Sequence, residues 1–157
     1  MNISLKEWIA KVTGQTEFRT LLWTNSNPSS ALTSTTVLNG TDMTVYDCIE
    51  VHGVNYTAFQ SIMPPIRIPI GSHGNLIGLA GSTGDSAGMG FLVARAVYAY
   101  SDKVVITSAM GVPTNGSSWY QNDANMVPTK IYGIRYVGGG YCVKFMRQLC
   151  RSCQGVM

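Results

Sequence analysis

The chain has 157 residues, only 12% of them charged, and its net charge of +3 at neutral pH is scattered apart from Lys144, Arg147 and Arg151 near the end. That length suits one domain able to bury its own core without disulfides or metal, and charge this sparse argues against a nucleic-acid partner. Solubility must then come from Ser, Thr, Asn and Gly, which make a polar but weakly charged surface.

No run approaches the ~20 apolar residues that span a bilayer. The first residues also show no basic segment ahead of an apolar core, so synthesis in the cytosol without membrane insertion is expected. In that setting Cys48, Cys142, Cys150 and Cys153 are expected to stay reduced. The Asn-x-Ser/Thr triplets at Asn39, Asn55 and Asn115 are read as turn chemistry.

In chain order, Ser4-Leu-Lys-Glu7 is a capping-box pattern and predicts a helix, with Leu5, Trp8, Ile9 and Val12 as a stripe at i, i+3, i+4 and i+7 and Gly14 as its stop. A helix of about ten residues does not hold alone in water. The stripe therefore packs either on its own β domain or, as its place at a terminus favours, on copies of itself or another protein. From Phe18 the period becomes that of strands. Phe18 to Thr24 opens the domain, Leu32 to Leu38 follows, and Asn39-Gly40 reads as a hairpin turn. In the next run Met43, Val45, Ile49 and Val51 share one parity, while Thr44, Tyr46, Glu50 and His52 share the other, predicting one buried and one wet face. Pro64, Pro65 and Pro69 mark Ile62 to Ile70 as an edge or irregular segment, whose apolar Ile66, Ile68 and Ile70 a trimer of the chain would let neighbouring β domains cover.

Residues 71–90 are glycine-rich and are expected to form a hairpin with long loops or an irregular crossing. Phe91 to Tyr100 is the strongest strand, pairing with Lys103 to Ala109 across Ser101-Asp102. Gly111 to Asn125 reads as a loop. Val127 to Val137 is the closing strand, expected to complete the sheet opened at Phe18, and a basic tail follows. The expected organisation is residues 1–17 as helix and link, 18–137 as the β domain and 138–157 as a cysteine-containing tail. The fold class is mainly β, an antiparallel β-sandwich of the jelly-roll kind with a short N-terminal helix.

Few residues offer chemistry. Gly84-Asp-Ser-Ala-Gly88 is similar to the nucleophile motif of chymotrypsin-like proteases, with His52 as a possible base. Ser86 follows His52 too closely for a two-barrel arrangement, however, and Ala87 replaces the usual glycine, so a loop is the better reading. Cys142, Cys150 and Cys153 could give three thiolates to zinc, but no fourth ligand lies nearby, and neither a metal nor a cofactor is expected. Trp119 and Tyr120, among Asn115, Gln121, Asn122 and Asp123, have a composition suited to sugar recognition: a ring stacks on a saccharide while amides and a carboxylate meet its hydroxyls. The plainer reading, that Trp119 anchors its loop on the sheet, is the favoured one. No residue pattern argues for an enzyme.

Three stretches, Leu5-Lys-Glu-Trp-Ile-Ala-Lys-Val-Thr13, Leu21-Leu-Trp-Thr-Asn-Ser-Asn-Pro28 and Val127-Pro-Thr-Lys-Ile-Tyr-Gly-Ile134, together resemble small fibre or receptor-binding proteins of tailed bacteriophages. The resemblance covers residues 1–137 and departs after Val137. It implies a non-enzymatic virion structural protein, commonly a homotrimer, whose N-terminal helix attaches to other virion proteins and whose β domain is displayed toward host-surface glycans. A capsid decoration or head-fibre protein would share this layout. A hydrolase of surface glycans would need a catalytic pair, for which Asp85 and Asp123 are the residues to test.

Overall fold

The computed structural model describes residues 5, 8, 12, 13, 16–55, 61, 62, 64–81, 90–113, 120, 121 and 123–137. Its ordered elements are strands β1 (Glu17–Thr24), β2 (Thr35–Val37), β3 (Cys48–Asn55), β4 (Ser61–Ile62), β5 (Ile66–Pro69), β6 (Ser72–Gly81), β7 (Gly90–Ala99), β8 (Val104–Pro113), β9 (Tyr120–Gln121) and β10 (Val127–Tyr136), with one 3-10 turn at Met43–Val45. They form two antiparallel sheets of five strands each. Sheet A runs β1-β10-β3-β4 with β5 also on β3, and sheet B runs β2-β8-β7-β6 with β9 on β8.

The strand parity of the sequence decides which side chains meet. Ile49, Val51, Ile68 and Ile131 from sheet A join Leu76, Val93, Val97, Ala99, Val104, Ile106 and Ala109 from sheet B in one buried cluster, closed by Met43 and Met126. The two sheets thus share one core in a sandwich-like arrangement. At β1 the register slips by one residue between Leu21 and Trp23. That bulge lets the adjacent Leu22 and Trp23 both pack against the core, which a regular strand forbids.

As the sequence predicts, β10 pairs with β1, joining the first and last segments of the domain, and it lies between β1 and β3. The β7–β8 pair forms across Ser101-Asp102, and β5 pairs with β3 alone.

Several expectations are corrected. Of the two readings for residues 71–90 the hairpin is the one seen and the irregular crossing is not: Ser72–Gly81 is a ten-residue strand paired antiparallel with β7 along its whole length. One glycine has a packing reason: a Cβ at Gly74 would lie 2.9 Å from Ile68 Cγ1, so its absence lets β6 cross close over β5. Asn39-Gly40 does not close a hairpin, because β2 pairs with β8 rather than β3. Instead Leu38 and Gly40 take φ of 57° and 76° and lead into the 3-10 turn, whose Thr44 N–H donates to Asp42 Oδ1. Ile68 is buried in the protein's own core, and Ile66 and Ile70 pack partly buried against it. Asn55 is a buried residue of β3, not a turn residue.

The short N-terminal helix of the sequence reading is not among the described elements. Of its stripe, Leu5, Trp8 and Val12 are described and are 72%, 56% and 64% exposed. Ile9 lies outside the described residues, as does the tail 138–157.

An arginine in the core organises one end of the sandwich. In β7 the inward positions run Val93, Arg95, Val97, Ala99, and Arg95 is fully buried. Its guanidinium donates to four main-chain carbonyls: Leu32 and Thr107 through Nη1, and Asp123 and Asn125 through Nη2. The Thr107 carbonyl becomes available where the β7–β8 register shifts between Arg95 and Val97. Burial lowers the Arg95 pKa to about 10, opposed by the Asp123 carboxylate 3.8 Å away.

Candidate functional site

Sheet A turns one face to the core and the other outward, and the alternation that buries Ile49 and Val51 must send Cys48, Glu50 and His52 to the opposite side. The register extends that face across four strands. Glu17 opposes Tyr136, Leu21 opposes Tyr132, Tyr132 opposes Glu50, Lys130 opposes His52, and Glu50 opposes Arg67. Residues from four separate parts of a charge-poor chain therefore share one surface.

At its centre is Glu50, 4% exposed although it faces away from the core. The wet face expected at this parity is closed over here because charged neighbours lean in. Arg67 Nε donates to Glu50 Oε2 at 2.8 Å, and Arg19 Nη2 reaches over β10 to Oε1 at 2.5 Å. His52 Nε2 lies 2.8 Å from the same oxygen and 3.0 Å from Arg19 Nη2, so it either donates to the carboxylate or accepts from the guanidinium. Burial pushes the Glu50 carboxyl up, but the hydrogen bonds from His52 and Arg67 and the charges of both arginines outweigh it, and its pKa is lowered from 4.5.

The two arginines are held differently. Arg67 uses four of its five N–H donors: besides Glu50, its Nη1 donates to Glu17 Oε2 and the Tyr136 hydroxyl, and its Nη2 to Glu17 Oε1. The bonds to Glu17 lead in raising its pKa. Arg19 instead lies 4.3 Å over the Tyr132 ring, whose edge meets His52. Below this layer the Cys48 thiol lies 3.9 Å from the Tyr136 hydroxyl, and burial raises the pKa of both groups. The arrangement holds a carboxylate ionised among cations.

The sugar-recognition residues fall elsewhere. Asn115, Trp119 and Asn122 lie outside the described residues, and Tyr120 belongs to the two-residue β9. Asp123 is engaged internally: Oδ1 accepts from Ala109 N–H at 3.0 Å and Oδ2 from Gln121 Nε2 at 2.7 Å, with 11% of the side chain exposed. Ser86 and Asp85 lie outside the described residues; His52 is placed in the Glu50 cluster. Cys48 is a free, buried thiol; Cys142, Cys150 and Cys153 lie outside the described residues. Among the described residues no group of His, Cys, Asp and Glu could hold a metal ion, and no helix is long and apolar enough to cross a membrane.

Sheet B differs. Its outward side chains include His73, Asn75 and Ile77 on β6, Leu92, Ala94, Ala96 and Tyr98 on β7, and Val105 and Met110 on β8, none of them charged. Ile77, Ala94 and Met110 form one cross-strand row, and Ile77, Leu92 and Met110 are 56%, 47% and 38% exposed. His73 stacks on Tyr98, which stacks on Tyr100.

Comparison with known proteins adds no relative: no family model, no curated protein and no solved structure matches the chain.

Proposed function

We propose that the chain is a non-enzymatic structural protein of a tailed-phage virion: a trimeric fibre protomer with a jelly-roll-like sandwich, attached to the particle through its N-terminal helix and displaying its β domain to host-surface glycans. The observation that carries this reading is the chemical contrast between the two outer faces. Sheet A presents an ordered charged and aromatic cluster, while sheet B presents an uncharged face with three large apolar side chains in the open. A face of the second kind suits contact with copies of the same chain, and one of the first kind suits display. The segments that carry the fibre resemblance support it further, since Leu21 to Thr24 and Val127 to Ile134 fall in the paired strands β1 and β10. The exposed Leu5, Trp8 and Val12 suit docking on another protein.

Light scattering of the full chain tests this. A trimer is expected, and Ile77→Asp on the sheet B face should shift it toward monomer. Replacing Leu5, Trp8 and Val12 by Ser should abolish incorporation into particles while leaving the trimer intact. A full chain that stays monomeric at high concentration would overturn the fibre reading.

A further inference from the structure

We infer that the outer face of sheet A binds an anionic saccharide, with the free N–H groups of Arg19 and the Lys130 ammonium taking its carboxylate or phosphate oxygens and Leu21 lying against its ring. This deepens the proposed display function and rests on it.

The difference between the two arginines carries the inference. Arg67 spends four of its five N–H donors on Glu50, Glu17 and Tyr136, keeping one on Nη2. Arg19 spends only Nη2, on Glu50 and His52, and its Nε and Nη1 have no hydrogen-bond partner among the described residues. Its side chain is 42% exposed. A guanidinium fixed at one nitrogen and stacked on Tyr132 has already lost most of its rotamer freedom, so its free Nε–H and Nη1–H groups, which point to different sides, are each pre-placed to donate to an oxyanion.

Lys130 adds charge beside it. It lies two residues from Tyr132 on the same side of β10, directly opposite His52, and is exposed with no ion-pair partner among the described residues. With Glu17 and Glu50 neutralised by Arg19 and Arg67, Lys130 leaves this group of five with one positive charge in excess. A bare anion would need only these cations. Leu21, opposite Tyr132 and 52% exposed, adds an apolar surface next to them, and a pyranose carrying an acidic group presents both chemistries at once.

The test is calorimetric titration of the full chain at low salt with four probes: an oligosaccharide of glucuronic acid and N-acetylglucosamine, a short poly(glycerol phosphate), a neutral dextran oligomer and a poly-glutamate peptide. Binding of either acidic carbohydrate probe, weakened by salt and absent for dextran, is the expected result, and which of the two binds separates carboxylate from phosphate. Arg19→Gln should weaken it about tenfold or more and Lys130→Ala about fivefold. Lys130→Ala removes no side-chain hydrogen bond or ion pair among the described residues, so a loss of binding with an unchanged urea midpoint is not misfolding. Binding of neither acidic carbohydrate, equal binding of dextran, equal binding of poly-glutamate, or indifference to both substitutions would each overturn the site. Light scattering on the same samples separates the two readings: a trimer that binds no anion removes this site and leaves the fibre, whereas a monomer that binds leaves the site and removes the trimeric fibre.

Discussion

Glu50 and Arg67 are register partners on β3 and β5, and the 2.8 Å bond between them fixes one side of a carboxylate that Arg19 grips from across β10 on the other. Glu50→Gln keeps the shape and removes the charge both arginines were placed to meet. Each guanidinium is partly exposed and can turn to water, which limits the loss, so a destabilisation of about 2 kcal/mol is expected from the urea midpoint.

The same group sets an acid response. The folded-state pKa of Glu50 lies below its ordinary value of 4.5, so the carboxylate contributes stability that is fully present above 4.5 and is lost as pH falls through the lower, folded value. Urea midpoints taken from about pH 7 down to about pH 3 should fall in the native chain, and the gap to Glu50→Gln should close over that range. A gap that stayed constant would show that Glu50 is not the titrating group.

Arg95→Met would fill the cavity with an apolar chain of similar length but withdraw the guanidinium's donors from four main-chain carbonyls, of which Asp123 O keeps the Leu32 N–H. The expected cost is about 3–5 kcal/mol. Arg95→Lys should recover only part of it, because an ammonium has three protons for four acceptors. Differential scanning calorimetry of the three proteins checks the order.

A Cβ at Gly133 would lie 2.5 Å from Tyr46 Cδ1 and Cε1. Gly133→Ala should therefore cost about 1–3 kcal/mol through displacement of the ring. In a Tyr46→Ala background the same change should cost far less, and the double-mutant cycle isolates the contact.

Cys48 is 5% exposed and burial raises its thiol pKa, so it should resist alkylation in the folded protein. In a variant with Cys142, Cys150 and Cys153 replaced by Ser, iodoacetamide should label Cys48 only after denaturant is added, as intact mass would show.

Much of the sheet order was legible because hydrophobic alternation is a local signal. The parity of Ile49 and Val51 against Glu50 and His52 could be read directly, and so could the closing role of Val127 to Tyr136. Strand β6 was hidden by its glycines, whose place beside Ile68 depends on a crossing that no local pattern encodes. The burial of Glu50 was hidden for a similar reason. Its partners stand at positions 19, 52 and 67, and only the pairing of β1, β10, β3 and β5 gathers them. Arg95 did leave a trace, a lone cation at the inward parity of Val93, Val97 and Ala99, and inward charge in a strong strand is the signal that would have found it.

The Arg95 clamp acts on main-chain oxygens, and every amino acid carries one. At positions such as 32 and 125 the path of the chain is therefore fixed without reference to which side chains those positions bear. The loops at this end can exchange their outward residues while keeping their course, giving the molecule a margin on which surface chemistry is free to drift over a frame that does not.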